Sequence, residues 1–271
     1  MKVTLLGTGT STGIPVIGCQ CQVCRSTDPR DKRTRCAAWV QADGMSLIID
    51  TGPDFRVQAL REGIDRLDAV LLTHHHFDHI AGLDDLRPYL FDNRNPIPCY
   101  ARDNTAEVVR NTFWYIFKDR SYPGVANLSL CEIETSFDVE SRYGTGASVH
   151  VEPVDVYHGE LAMYGYRIGR FAYLTDVNRI PEHTYERLRG LDVLVLDALR
   201  HEPHLTHFSI DEAVEAARRI GARQTYFVHM THSVLHAPED AQLPGGMALA
   251  YDGLSFEVPN ESPEHRPSAL H

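Results

Sequence analysis

The sequence predicts a layered α/β protein, and three observations support this fold class. Short apolar runs typical of strands alternate with helical segments along the chain. Neither an internal repeat nor a linker divides its 271 residues. The composition, 43% hydrophobic and 23% charged, is ordinary for a globular protein. We therefore predict one domain over residues 1–258, followed by a polar, flexible tail over residues 259–271.

The first half of the chain is predicted to hold paired strands followed by helices. Asp43-Gly44 separates two strand-like runs and is a strong signal for a tight hairpin. Trp114 and Tyr115, in the last predicted helix, could form a lid over a site, although such aromatics are more often core residues. The predicted strands are Lys2–Leu6, Ala37–Gln41, Ser46–Asp50 and Ala69–Leu72, and the predicted helices are Phe55–Arg61, Leu83–Leu90 and Asn104–Phe117.

The second half is predicted to contain most of the remaining strands. Ser209 and Glu212 form a capping box that opens an amphipathic helix, and Gly221 ends it. The predicted strands are Leu128–Ile133, Val149–Tyr157, Tyr164–Ile168, Phe171–Leu174, Val193–Leu196 and Thr225–Val228, with a further helix over Pro181–Leu188.

A dense group of metal-competent side chains follows the buried strand Ala69–Leu72. His74 and His76 lie two residues apart, so in an extended chain they point to the same side. Asp78 and His79 then turn away as the strand gives way to a loop. One peptide can thus supply two ligands to each of two metals, an arrangement suited to hydrolysis. A solvated, histidine-rich loop is the weaker alternative.

Further ligands are expected where other apolar strands end, because open α/β sheets place their sites there. His158, Asp176 and His229 each follow such a strand. A lone histidine at a strand end is more often structural, but three such positions beside the first motif favour a dinuclear site. One metal is assigned to His74, His76 and His158, the other to Asp78, His79 and His229, and Asp176 bridges them. This donor set suits Zn²⁺, Mn²⁺, Fe²⁺ or Ni²⁺.

Three cysteines, Cys19, Cys21 and Cys24, form a second metal-like cluster in a glycine-flanked loop. Without a recognisable secretory segment, a tight trio is read as a metal site rather than as a disulfide framework. Three unrelated loop cysteines are the alternative. The other cysteines are expected to be small buried hydrophobes.

The formal net charge of −11 argues against a large polyanionic partner such as duplex nucleic acid or tRNA. A small phosphorylated substrate remains compatible, because bound cations invert the local field. No run of eighteen apolar residues exists, so no membrane-spanning helix is expected. The start of the chain does not resemble a signal peptide, so a cytoplasmic location is predicted.

Taken together, these motifs resemble the metallo-β-lactamase fold superfamily, on the phosphodiesterase side that includes tRNA maturation endonucleases. The pattern is most similar to the PhnP-type cyclic phosphodiesterases. The resemblance covers nearly the whole chain and implies a four-layer αββα sandwich with a dinuclear site at one edge. The residues that carry it are Leu5–Gly9, Gly18–Cys24, Ile48–Gly52, the H-x-H-x-D-H motif of 74–79, His158, Asp176 and Val228–His232.

The resemblance also implies roles for individual residues. It implies that His232 completes a structural Zn²⁺ site with the cysteine trio, although an ordinary loop histidine is the alternative. It implies that His207 is a catalytic histidine that is not a ligand; this residue lies near a helix N-terminus, which favours phosphate oxygens. Asp197 is predicted to orient His207 or His201; the alternative is that it is a strand-end carboxylate without a functional role. Asp78, His207 and Asp197 are thus the predicted catalytic residues.

The predicted function is hydrolysis of small phosphodiesters, cyclic ones above all, by a hydroxide that two divalent metals activate. The alternatives are a tRNA-processing endonuclease, a lactone or thioester hydrolase, and a PqqB-like structural or carrier protein. About three metals per chain would favour the enzyme and about one the structural protein. Asp50 is expected to accept hydrogen bonds from the ligand-bearing loop or to orient a histidine ligand. His75 and His204 are expected to face solvent or to line the rim of the site. A homodimer is one oligomeric state to test.

Overall fold

Two mixed β-sheets with helices on their outer faces make up the fold. The computed structural model describes residues 1–91, 93–118 and 124–259. The strands are β1 Lys2–Gly7, β2 Ala37–Ala42, β3 Met45–Ile49, β4 Ala69–Leu71, β5 Ile97–Ala101, β6 Leu128–Glu132, β7 Phe137–Glu140, β8 Ser148–His158, β9 Leu161–Ile168, β10 Phe171–Leu174, β11 Val193–Asp197, β12 Gln224–Val228, β13 Met247–Leu249 and β14 Ser255–Glu257. The helices are α1 Gln22–Arg25, α2 Phe55–Glu62, α3 Phe77–Ile80, α4 Asp103–Thr112, α5 Trp114–Phe117, α6 Glu182–Arg187, α7 Ile210–Ile220 and α8 His236–Asp240, with 3-10 helices at Pro29–Asp31 and Ala81–Leu90.

Each sheet has seven strands, and both contain a parallel block. The order in the first sheet is β14-β1-β2-β3-β4-β5-β6, and β3 to β6 run parallel to one another. The order in the second sheet is β13-β12-β11-β10-β9-β8-β7, and β10 to β13 run parallel. Because parallel strands end at a common edge, each block brings the residues after its strands together.

Three apolar clusters separate four layers. The central cluster joins the facing sides of both sheets, for example Leu5 and Leu47 with Phe171 and Val195. A second cluster packs α2 and α4 on the first sheet, and a third packs α7 on the second. Strands buried on both faces explain why β3, β4, β10 and β11 read as continuous apolar runs rather than alternating ones. The predicted α/β class and the four-layer αββα sandwich are confirmed.

The strongest local sequence signals correctly predicted one hairpin turn and the two ends of one helix. Asp43 and Gly44 both adopt positive φ, as a two-residue hairpin turn between β2 and β3 requires. The Ser209 hydroxyl accepts from the Glu212 backbone N–H, and the Glu212 carboxylate accepts from the Ser209 backbone N–H, which completes the capping box of α7. Gly221 ends that helix in the left-handed conformation.

Two local predictions were wrong. The helix expected over Asn104–Phe117 is interrupted at Phe113, whose ψ of 35° breaks the helix while its ring is buried against the first sheet. Burial of this ring outweighs the local helical preference. The segment after His76 is not a loop but the one-turn helix α3. The short elements β7, β13, β14, α1 and α8 were not predicted. For β13 and β14, each three residues long, the strand conformation depends on pairing with a strand that is distant in the sequence.

Tyr115 packs at the border of the outer cluster, consistent with a core role, while Trp114 is 59% exposed and lies against Lys118. Within the described residues, no helix has the length and apolar character needed to cross a bilayer. Of the predicted flexible tail, residues 260–271 lie outside the described residues.

Candidate metal centre and active site

The first sheet contributes its ligands where β4 ends. His74 is fully buried two residues beyond Leu72, and His76 immediately precedes α3. The single turn of α3 then carries Asp78 and His79 back toward His74, whose ring lies 4.2 Å from the ring of His79. A helical turn, rather than a loop, therefore directs the second pair of side chains into the site.

The second sheet contributes the remaining candidates from the ends of β8, β10 and β12. His158 is the last residue of β8, and Asp176 and His229 follow β10 and β12. Asp176 and His229 have φ values of 58° and 67°, and Asp50, after β3 in the first sheet, has φ 62°. Left-handed backbone is uncommon at non-glycine residues, and its concentration at these strand ends is typical of a functional site.

Three imidazoles form the first group of candidate ligands. A ligand atom from each of His74, His76 and His158 lies within 4.8 Å of the others. The ring of His76 is 4.6 Å from that of His74 and 5.0 Å from that of His158. The structure thus brings together the three residues predicted for the first metal.

A second group contains Asp78, His79, Asp176 and His229, again with ligand atoms within 4.8 Å of one another. Asp176 Oδ1 lies 3.3 Å from His79 Nε2, and its Oδ2 lies 3.1 Å from His229 Nε2. Asp176 Oδ2 is also 3.9 Å from His74 Nε2, in the first group. The carboxylate of Asp176 therefore stands between the two groups, where a shared ligand must lie.

Hydrogen bonds to Nδ1 orient three of these imidazoles. The Nδ1–H of His79 donates to Asp50 Oδ2 (2.7 Å), and that of His158 donates to the Thr206 carbonyl (2.7 Å). Thr73 Oγ1 donates to Asp50 and accepts from His74 Nδ1 (3.0 Å). In its neutral tautomer each ring would offer an unprotonated Nε2 to a metal. Sequence reasoning missed Thr73 and Thr206; a backbone carbonyl leaves no signal in a sequence.

The site passes a direct test of whether it fits metal ions. The Nε2 atoms of His74, His79 and His229 are buried and have no hydrogen-bond partner. Buried polar atoms are rarely left unpaired, so three of them converging on one carboxylate call for a common partner. Imidazole and carboxylate donors in these numbers suit a borderline transition-metal ion.

The pKa values of His74, His158 and Asp176 are shifted in directions that favour cation binding. Burial, with help from neighbouring His79, lowers the pKa of His74 well below its usual value, and burial lowers the pKa of His158 to about 4. Both rings therefore keep their lone pairs at neutral pH. Burial opposes ionisation of Asp176, but His229 and His79 outweigh it and hold the pKa of Asp176 well below its usual value. His79 differs from these rings: burial opposes its charged form, but Asp176 and Asp50 outweigh burial and raise its pKa well above the usual value, so a cation that binds there would displace a proton.

His207 lies beside both groups without belonging to the proposed ligand set. Its ring is 4.5 Å from that of His158 and 4.6 Å from that of His229. His207 Nδ1 is 3.1 Å from Asp197 Oδ2, which also accepts from the backbone N–H groups of Val177 and Phe208. His201 instead pairs with Glu239 at 2.8 Å. Of the two predicted partners of Asp197, the contact is made by His207.

The cysteine trio converges with His232, as the resemblance implied. Nδ1 of His232 lies 3.2 Å, 3.6 Å and 3.7 Å from the sulfurs of Cys19, Cys21 and Cys24. The backbone N–H of Cys24 donates to Cys21 Sγ and lowers the pKa of Cys21 to about 6, which favours a thiolate. Three sulfurs and one imidazole at mutual distances within 4.8 Å suit a tetrahedral Zn²⁺ site.

A buried arginine supports the segment between the two metal-like sites. The side chain of Arg33 is 0% exposed, and its Nη2 lies 3.2 Å from Asp31 Oδ1. Its guanidinium also donates to the carbonyls of Thr231 and Val234. These residues flank His232, and His229 lies just before them. Arg33 therefore fixes the segment that presents one histidine to each site.

Comparison with known proteins agrees with this architecture. Residues 46–230 match the family described as Beta-lactamase superfamily domain. A two-sheet sandwich with histidine and aspartate ligands at the strand ends defines a metallo-β-lactamase-fold hydrolase, a fold that implies divalent metal ions. The chain belongs to this superfamily and, within it, to the PhnP family. A solved structure of a new diphosphatase from the PhnP family shares 45% identity with it, covers 95% of this chain and 98% of its own, and superposes with a TM-score of 0.87.

Two relatives with other names also match. An octanoyltransferase of Porphyromonas gingivalis (strain ATCC BAA-308 / W83) is 41% identical over 94% of this chain, which spans only about half (51%) of that protein. Coenzyme PQQ synthesis protein B of Methylorubrum populi is 27% identical over 95% of this chain and 100% of that protein. The names of these relatives differ, so they do not by themselves define the activity of this chain, and the site must be considered directly.

Proposed function

We propose that this protein hydrolyses small phosphodiesters, cyclic ones included. One observation carries the proposal: the buried Asp197–His207 pair stands beside both ligand groups, immediately before the N-terminus of α7. A positioned histidine can supply a proton to a departing alkoxide, while bound metal ions would neutralise charge on the phosphate oxygens.

The proposed ligand sets follow the two groups. One divalent ion would be held by His74, His76 and His158, and the second by Asp78, His79 and His229. Asp176 would be a ligand to both ions. Zn²⁺, Mn²⁺, Fe²⁺ and Ni²⁺ all suit these donors, and Cys19, Cys21, Cys24 and His232 would hold a structural Zn²⁺. When bound, the two ions would supply an acidified water and neutralise charge on the phosphoryl oxygens.

The protein's own residues then handle the proton of the leaving group. Nδ1 of His207 is occupied by Asp197, so the proton for a departing alkoxide would come from Nε2. Burial lowers the pKa of His207, which makes its imidazolium a readier acid. Asp197, buried and hydrogen-bonded to two backbone amides, fixes the orientation of the ring.

A diphosphate diester is the second candidate substrate. The 45% identical PhnP-family relative is described as a diphosphatase, and a P–O–P bond presents the same phosphoryl oxygens and the same need for leaving-group protonation. A long nucleic acid is disfavoured by the net charge of −11. Thioester hydrolysis releases a thiolate that needs little protonation, and a PqqB-like carrier role involves no proton transfer, so both make less use of the Asp197–His207 pair. A lactone releases an alkoxide that does need such a proton, and lactones are therefore included in the assay below.

His207→Ala tests the proposal. Metal-reconstituted protein is assayed against cyclic, linear and aromatic phosphodiesters and diphosphate diesters, with lactones and thioesters as controls. We expect phosphodiester turnover to fall about 10²- to 10⁴-fold, with metal content unchanged at about three ions per chain. His201→Ala is the matched control in the same loop, because His201 pairs with Glu239 instead. Undiminished turnover in His207→Ala, or about one metal per chain in the wild type, would contradict the proposal.

A further inference from the structure

The loop of residues 200–208, between β11 and α7, is held firmly in place beside the metal centre. His158 donates to the carbonyl of Thr206, and Asn178 Nδ2 donates to the carbonyl of Leu205 (2.8 Å). Asn178 is itself fixed, because its Oδ1 accepts from the backbone N–H of Gly159 (2.8 Å). The loop that carries His207 is therefore tied to the turn that carries a predicted metal ligand.

Two of the exposed side chains of this anchored loop come shortly before His207 in the sequence. Leu205 is 89% exposed although its own carbonyl is hydrogen-bonded. The exposed ring of His204 lies 5.2 Å from the ring of His207, and its Nδ1 is 3.3 Å from Thr206 N. The backbone hydrogen bonds prevent Leu205 from turning inward with its segment. The ring of His204 is thus presented beside the proposed proton donor, and the apolar side chain of Leu205 lies two residues before that donor in the same loop.

The direction of the leaving group follows from the position of the proton donor. If His207 protonates the departing oxygen, then the organic group on that oxygen must extend beyond His207, past the side chains of its own loop. His204 is the exposed ring nearest to His207 on that loop, and Leu205 is the next residue along the chain. An aromatic or apolar group there would be partly removed from water by both.

We propose that His204 and Leu205 form a leaving-group subsite that favours phosphodiesters whose leaving alcohol carries a flat, apolar group, such as an aryl or a nucleobase-bearing group. This inference rests on the proposed phosphodiesterase function. It explains why a leucine is held almost fully exposed on a loop that is otherwise pinned on both sides of it. Specificity would then come from the loop rather than from the ligands themselves.

Two esters of similar intrinsic reactivity test the subsite. Phenyl methyl phosphate and 2-naphthyl methyl phosphate release phenols of similar acidity, so their hydrolysis differs mainly in the ring area available for contact. We expect the wild type to favour the naphthyl ester by about fivefold in kcat/KM. Leu205→Ser and His204→Ala should each bring this ratio toward one. Leu60→Ser is the matched control, because Leu60 is 67% exposed on α2, a different element from the loop of residues 200–208, and this variant should keep the wild-type ratio.

The outcomes separate the subsite from the proposed function. If the wild type hydrolyses both esters equally well, or if Leu205→Ser keeps the preference, the subsite is refuted while the phosphodiesterase proposal stands. If the wild type hydrolyses neither ester with any of the four metals, both proposals fail. Sedimentation of wild type and Leu205→Ser is measured alongside. A substitution that dissociates a dimer without changing the ratio would assign Leu205 to a contact between copies and overturn the subsite.

Discussion

Replacing one carboxylate oxygen of Asp50 by an NH₂ group should weaken metal binding, although Asp50 is not itself a proposed ligand. Its Oδ2 accepts from Thr73 Oγ1 and His79 Nδ1, both at 2.7 Å, and its Oδ1 accepts from the backbone N–H of Thr73 at 2.8 Å. In Asp50→Asn only one oxygen remains, so at least one of these buried donors loses its acceptor and faces an NH₂ group. The free-energy cost is about 1–3 kcal/mol, which corresponds to roughly 5- to 150-fold in a binding constant.

We expect Asp50→Asn to bind the active-site metal about 10- to 100-fold more weakly, because His79 loses the partner that orients its ring. Calorimetric titration of Mn²⁺ measures this loss, since Mn²⁺ prefers oxygen and imidazole over the cysteine thiolates. Asp43→Asn is the matched control: Asp43 also has positive φ, 50° against 62° for Asp50, but lies in an exposed turn. Wild-type Mn²⁺ affinity in Asp50→Asn would refute the assignment of Asp50 as a support for His79.

Two further predictions concern stability. Arg33→Met should lower the free energy of unfolding, measured in urea, by about 3–5 kcal/mol, because it leaves Asp31 buried without its cation. The control is Arg30→Met: the Arg30 side chain is 40% exposed, so its loss should lower the free energy of unfolding by less than about 1 kcal/mol. Equal losses in the two variants would contradict the argument. His236 is 2% exposed, and burial lowers its pKa from the ordinary 6.5. Below that value the unfolded chain binds a proton that the folded chain does not, so stability should fall with falling pH. His236→Gln should flatten this slope in urea unfolding followed from about pH 7 to pH 5; an unchanged slope would show that other groups produce it.

The parts of the fold that the sequence predicted well are those determined by local chemistry. The hairpin at Asp43-Gly44 and the capped helix ending at Gly221 depend on residues within a few positions of one another. The break at Phe113 was missed because it depends on burial of its ring against the first sheet. Strand β14 was missed because three residues acquire a strand conformation only by pairing with β1 at the other end of the chain.

The candidate site divides in the same way. Strand-end positions such as His158 and Asp176 could be selected from sequence, because apolar runs reveal where strands end. The choice of His207 over His201 as the partner of Asp197 could not, since both follow the same strand and only the folded loop brings one of them into contact. The fixing of His158 by the Thr206 carbonyl is equally invisible, because every residue has a carbonyl.

The ligand groups draw on both halves of the sandwich, and this has a consequence for how the protein matures. His74 and His76 belong to the first sheet, whereas His158, Asp176 and His229 belong to the second. Neither half alone carries a full proposed coordination sphere, so tight uptake of active-site ions would require docking of the two halves. Ions bound by the proposed ligands would then link the halves, and scarcity of metal would shorten the lifetime of the native chain as well as abolish its activity.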